Sequence, residues 1–259
     1  ADAGGGGLIG FLTPAMAAHS PSVHKGYDLY SAALPGVLLG LMAVAVLYKS
    51  LGNTVPEIAA TLDGSHPGVV GGFCIIFFGL CVLAGFWLNG KGFKGYGALL
   101  KDTGHKADFT AKYGPGLAIM NVGVYGLMIL AYYIFVNAIQ GDALAGFNGV
   151  TIGIVFCMVC FGANGAHPGN VWPIMVGYVA FSCAATLGFG GVFPVNAQAI
   201  MVGLCFASGL APIAGDYGWW AGILAGGMHY LLVTSIPPIH GGFSLYNGGF
   251  TALVIAIIL

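Results

Sequence analysis

Two stretches of the chain set the same polar groups in the same order: "PSVHKGYDLY" at residues 21–30 and "PPIHGGFSLY" at residues 237–246. Each offers an imidazole, His24 or His240, then a phenol, Tyr30 or Tyr246, and the second runs on into the amide of Asn247. An imidazole exchanges a proton near neutral pH, and phenols and amides give and take hydrogen bonds without net charge. Such groups suit the recognition of a small neutral or weakly charged solute. A second polar knot, "GANGAHPGN", holds His167 and Asn170; Asn148 stands at the head of the apolar run before it, and His229 lies in the middle of "AGILAGGMHYLLV".

Other chemistries find fewer of the residues they need. Glu57 is the only glutamate, and neither HExxH nor a related pair is present. Most of the seven histidines adjoin Pro or Gly breaks or turn residues, a pattern of capping and pore lining more than of a metal cage. Cys157 and Cys160 spell CxxC on one helix face, but no neighbouring cation is there to lower a thiol pKa. All six cysteines sit in apolar runs and read as small hydrophobes. No catalytic residue, metal ligand or cofactor is expected. The polar candidates keep plainer readings too. His24 and His240 suit helix caps, Tyr30 and Tyr246 interfacial aromatics, the asparagines staples between helices, and His229 a neutral imidazole bonded to a neighbouring helix. Asp216 is expected near a membrane boundary, and Asp108 as a solvated surface charge.

The elements that must position these groups follow from composition. The 259 residues are 58% hydrophobic and 6% charged, against roughly 25% charged in an average soluble domain. Too few charges remain to cover a water-facing surface, so the chain reads as an all-α integral, multi-pass membrane protein, placed in the cell membrane. Runs at 29–48, 68–89, 116–137, 171–188 and 218–236 are long enough to span. Shorter Gly-rich runs at 5–18, 149–162 and 196–213 fit half-length or re-entrant helices, and 245–259 closes the chain. About seven to nine membrane segments result. Five of the seven lysines (Lys91, Lys94, Lys101, Lys106, Lys112) crowd one polar stretch, which the positive-inside rule makes cytoplasmic; a short surface helix is expected there around "GALLKDT". The absence of Arg and the net charge of -1 exclude nucleic-acid partners.

The repeated motif keeps a constant offset: the step that carries His24 onto His240 also pairs Gly6 with Gly222, Leu8 with Leu224 and Gly10 with Gly226. That is the mark of an internal duplication, in which residues 6–36 and 222–252 superimpose. Three parts follow: 1–89, the tail of a first repeat with connecting spans; 90–115, the Lys-rich cytoplasmic loop; and 116–259, the second repeat. From residue 103 onward, "TGHKADFTAKYGPGLAIMNVGVYG", "GFNGVTIGIVFCMVCFGANGAHPGNVWPIMVG", "LAPIAGDYGWWAGILAGGMH" and "HGGFSLYNGGF" follow one another. In that order they resemble a family of prokaryotic multi-pass membrane proteins catalogued as a domain of unknown function, number fifteen seventy-six. The resemblance implies two copies of the domain, of which the earlier is represented here only by its tail, so the chain is expected to be part of a longer one. This chain departs from the pattern in having Ala166 where the family usually has Lys, and Ser31, Ala32 and Ala33 where its own second copy has Asn247, Gly248 and Gly249. A more distant similarity, to urea-channel-type proteins, rests on "GFNGVTIGIV" and the duplicated halves.

Polar groups in hydrocarbon must find partners, so irregular backbone at membrane depth faces protein or a water-filled cavity. Repeat-built transporters bind solute where the broken helices of their halves meet. The expected function is therefore a channel or transporter for a small neutral or weakly charged solute, with His24, Tyr30, Asn148, His167, Asn170, His229, His240, Tyr246 and Asn247 along its path. The alternative is a non-transporting subunit that assembles with a partner membrane protein; a metal-dependent intramembrane enzyme ranks below both. Expected partners are the lipid bilayer, the solute, and either a second copy or another membrane chain.

Overall fold

The computed structural model describes residues 3–52, 66–139, 147–189, 198–233, 235–236 and 247–259, and among them every regular element is a helix. In chain order these are α1 (Ala3–Ala17), α2 (Ser20–Val23), α3 (Ala33–Val44, prolonged by a π-helical turn, Ala45–Ser50), α4 (Pro67–Leu88), α5 (Tyr96–Leu99), α6 (Phe109–Tyr113), α7 (Pro115–Ile139) and α8 (Gly149–Val159, ending in a 3₁₀ turn, Cys160–Ala163). Then come α9 (Pro168–Phe189), α10 (Gln198–Ala207), a 3₁₀ turn (Ser208–Leu210), α11 (Ala211–Tyr217), α12 (Trp219–Val233) and α13 (Asn247–Ile258).

Five helical stretches are long and apolar enough to cross a membrane: Ala33–Ser50, Gly68–Leu88, Pro115–Val136, Pro168–Gly188 and Ala199–Tyr217. Ile152–Ala163, Trp219–Val233 and Asn247–Ile258 are shorter apolar helices. Two lengths differ from the sequence reading. The run 196–213, expected at half length, continues through the 3₁₀ turn to Tyr217 and reaches spanning length, because Ser208–Leu210 tightens the helix without ending it. The run 218–236, expected as a full span, is helical among the described residues over Trp219–Val233.

Small residues set the packing. α4 lies along α7, where Gly123 and Gly126 meet Phe78, and Gly85 meets Gly116 and Met120. α9 lies along α12, where Gly177 meets the Ile223 backbone and Gly226 that of Ile174. A side chain at these seams would hold the backbones apart, the reason small residues gather at helix contacts in lipid. The opposite face of α4 exposes Val69, Phe73, Ile76, Leu80, Leu83 and Trp87, a stripe at helical spacing with no polar member, as a lipid-facing surface requires.

The Lys-rich segment folds over one end of the bundle. Its helix α5 ends at Leu99, shorter than the expected "GALLKDT" helix. Asp108 is exposed, and its carboxylate also caps α6 by accepting the Ala111 N–H at 2.9 Å. Leu99, Phe109, Leu117 and Met120 form a small core beneath it. Burial pushes the Asp102 carboxyl up, but Lys112, the Gly104 N–H and the Tyr113 hydroxyl outweigh burial and hold it below its ordinary value. Asp216 lies in the last turn of α11 at this same end, 3.2 Å from His105.

Candidate functional site

Three interruptions of helix converge beneath the Lys-rich face: residues 24–32, the turn 160–167, and the 3₁₀ turn at 208–210. The first begins where α2 ends. Lys25 and Gly26 take left-handed conformations, φ 54° and 97°, and the turn wraps the backbone around the His24 ring. Nδ1 accepts the N–H groups of Gly26 at 3.2 Å and Asp28 at 3.1 Å. With Nδ1 accepting, the neutral ring carries its proton on Nε2 and donates it to Ser31 Oγ at 2.8 Å. His24 therefore organises the break itself; it does not cap the helix that follows, because its two N–H partners lie within the break and α3 begins only at Ala33. Burial holds it below the ordinary imidazole value, and nearby Lys106 adds to the effect.

The strand of chain that follows enters the protein. The Leu29 N–H donates to Gly209 O at 3.0 Å. Tyr30 is wedged edge-on between Phe161 and Phe206, with ring centroids at 4.6 and 5.1 Å. Its hydroxyl lies 3.1 Å from Ser208 Oγ, whose own proton goes to Cys205 O at 2.6 Å. Asp28, at the turn between these groups, is 2% exposed. Its Oδ1 accepts the Tyr30 N–H at 2.9 Å, while Oδ2 has no hydrogen-bond partner among the described residues. Burial raises this carboxyl to about 8, opposed only by the bond from Tyr30.

His229 reaches the same neighbourhood from α12. It is fully buried, and its Nε2–H donates to Gly248 O at 2.8 Å, which is the neutral, helix-bonded state considered for it. Ten residues from the start of α12, it lies about 15 Å from the Lys-rich end at 1.5 Å rise per residue. Gly248 abuts Phe206, and Gly249 abuts Ala33 and Tyr30. The N-terminal turns of α3 and α13 thus touch at mid-depth, with Asn247 opening α13.

Of the remaining expected residues, His167, Asn170 and Asn148 do not point into that cluster of His24, Tyr30 and Ser208. His167 Nε2–H donates to Asp102 O at 2.8 Å, and the Asn170 amide donates to Gly165 O at 2.8 Å and to Thr103 O at 3.3 Å. Both fasten the Lys-rich segment over the break, and burial keeps His167 below its ordinary value. Asn148 Oδ1 accepts the Val150 N–H at 3.0 Å and so caps α8 at the end away from that face; the helix and its 3₁₀ turn put it about 20 Å from His167. His240 and Tyr246 fall outside the described residues. A groove of about 640 Å³ between α7 and α9, lined by Met128, Tyr132, Phe135, Trp172 and Met175 among others, is almost wholly apolar and contains none of the described candidates. Sequence reasoning missed Asp28, Ser208 and Gly209. The signal for Asp28 was available: its counterpart in the second copy of the motif is Ser244, a mismatch of charge inside a matched segment.

Among protein families, the model described as "Protein of unknown function (DUF1576)" matches residues 88–259. No curated protein and no solved structure matches the chain.

Proposed function

The chain belongs to that family of unknown function, and from this premise we propose that it is a transporter or channel of the cell membrane, moving a small neutral or weakly charged solute between two repeats related by an inverted two-fold axis. One observation carries the reading: Gly249 packs against Ala33, and the two are equivalent positions, paired by the same offset that pairs His240 with His24. In a two-fold arrangement a residue on the axis touches its own equivalent. The same offset carries both bounds of α1, Ala3–Ala17, onto those of α12, Trp219–Val233. α1 leads toward the Lys-rich end, where Lys25 O accepts from His105 at 2.8 Å; α12 leads away from it. Equivalent helices running in opposite senses support an axis in the membrane plane.

The path follows from that axis. The N-terminal turns of α3 and α13, which follow the two copies of the motif, meet at Ala33 and Gly249, and the nearby polar groups are neutral or buried: His24, Tyr30, Ser208 and His229. A site so poor in fixed charge favours an uncharged solute, since an ion would leave its hydration without a compensating partner. Purified protein in liposomes should pass urea, glycerol or a small amide faster than empty liposomes, read by light scattering after an osmotic step. No acceleration for any of these, together with another membrane chain co-purifying at fixed stoichiometry, would instead identify a non-transporting subunit.

A further inference from the structure

A carboxyl group in the protein interior normally meets a cation or several N–H groups, because an uncompensated buried charge costs several kcal/mol. Among the described residues Asp28 meets one N–H. The charged and titratable groups around it are turned to other partners. His24, on its own segment, spends both ring nitrogens on Gly26, Asp28 and Ser31, and presents only an acceptor to the Asp28 backbone. From the Lys-rich segment, the Lys106 side chain and His105 pack on Gly26, and His105 is engaged by Asp216 and Lys25 O. Tyr27 stacks on His105 at 4.3 Å and takes a bond from Tyr217. From α10 and the 3₁₀ turn come the Cys205 carbonyl, the Ser208 hydroxyl and the Gly209 backbone, and from α8 the Phe161 ring; none is a cation. A methyl at Gly209 would lie 2.8 Å from Asp28 Oδ1, so the carboxyl is held closely against that turn.

We infer that Asp28 is a proton-binding site on the path, a carboxylic acid that keeps its proton on Oδ2 while the break is closed and releases it to water when the break opens. The step is a simple exchange: the Oδ2–H bond breaks, the proton passes to water from the adjoining aqueous phase, and the carboxylate is hydrated until the break closes and the proton returns. Because the second repeat has Ser244 at the equivalent position, the two-fold arrangement carries one such acid on one side only. That asymmetry couples opening toward the Lys-rich face to proton release. The inference rests on the transport reading for its purpose, but proton binding itself is measurable without any solute.

The test uses the full chain in detergent and the proton as probe. Infrared spectra near neutral pH should contain the carbonyl band of a protonated carboxylic acid, downshifted when aspartate is supplied with a ¹³C carboxyl and absent from Asp28→Asn. The isotope arm needs no variant and so stands even if Asp28→Asn folds poorly. Thermal unfolding gives an independent reading. The folded carboxyl titrates at about 8 and the unfolded one at 3.8, so the folded state binds more protons between those values. By linkage, wild-type stability falls as pH rises through that window. The melting temperature of Asp28→Asn relative to wild type should therefore rise from pH 4 to about 8 and then level. Lack of an isotope-sensitive acid band, or a difference between variant and wild type that does not change with pH, overturns the assignment. A band that is present in protein passing no solute leaves the proton site standing and removes the transport reading.

Discussion

At the scale of single residues, the site is governed by which buried groups stay neutral. His24→Ala would leave the N–H groups of Gly26 and Asp28 without an acceptor, at a cost of about 1–3 kcal/mol for the buried group. A lowered melting temperature in detergent is the expected result. His24 and His167 are both held below the ordinary imidazole value of 6.5 by burial. The folded state then binds fewer protons than the unfolded one, so their contribution is fully present above pH 6.5 and is lost as pH falls below it. Asp28 slopes the other way. Wild-type melting temperature should decline on both sides of an optimum, whereas Asp28→Asn should keep the acid decline and stay flat from about pH 6.5 to 8; a pH series of melting curves checks it. His24, Tyr30 and His229 were legible in the sequence because ionisable and aromatic groups stand out in apolar runs. Asp28 was legible only as a mismatch of charge with Ser244; that its Oδ2 meets no partner among the described residues is something no sequence pattern carries. His167 and Asn170 were marked for the right property, hydrogen bonding at a break, but their partners belong to the Lys-rich segment, which no local pattern could reveal.

At the scale of elements, the contact between α3 and α13 is the most exposed to test. A methyl at Gly249 would sit 2.8 Å from the Ala33 Cβ and 3.2 Å from that of Tyr30. Both are stem atoms fixed by the backbone and cannot rotate away. Gly249→Ala should destabilise by about 1–3 kcal/mol, the usual range for overpacking. Ala33→Gly alone costs about 1 kcal/mol of helix propensity, but combined with Gly249→Ala it restores the missing space. The double variant should melt higher than the sum of the single effects allows, a favourable coupling that a double-mutant cycle measures. Additive effects would mean that the two helices do not meet there. The helices themselves were readable where apolar runs are long, as in α4, α7 and α9. The run through α10 and α11 misled because Ser208, Gly209 and Pro212 look like a terminus, whereas the chain tightens into a 3₁₀ turn and carries on. α12 misled in the other direction: its apolar run extends past the helix, and apolarity alone does not fix where helical hydrogen bonding stops.

At the scale of the whole molecule, the proposed duplication turns on the sense in which its two repeats would insert. α4 ends at the Lys-rich segment and α7 leaves it; α8 returns to it, where Asn170 bonds to Thr103. α9 leaves again, the α10–α11 span returns to place Asp216 beside His105, and α12 departs. α1, the equivalent of α12 by the repeat offset, arrives instead at that end. An inverted pair requires equivalent positions to lie on opposite sides of the membrane, and a parallel pair requires them to share one. His19, just past α1, and Ser235, just past α12, are equivalent by the same offset, and both are exposed. In the proposed topology, with the Lys-rich face cytoplasmic by the positive-inside rule, His19→Cys should react with an impermeant maleimide only from the cytoplasmic side of sealed vesicles, and Ser235→Cys only from the other. Cys160 is the one native thiol classed as exposed among the described cysteines, so labelling is read as the gain over a Cys160→Ser background. Reaction of both positions from the same side would rule out the inverted axis.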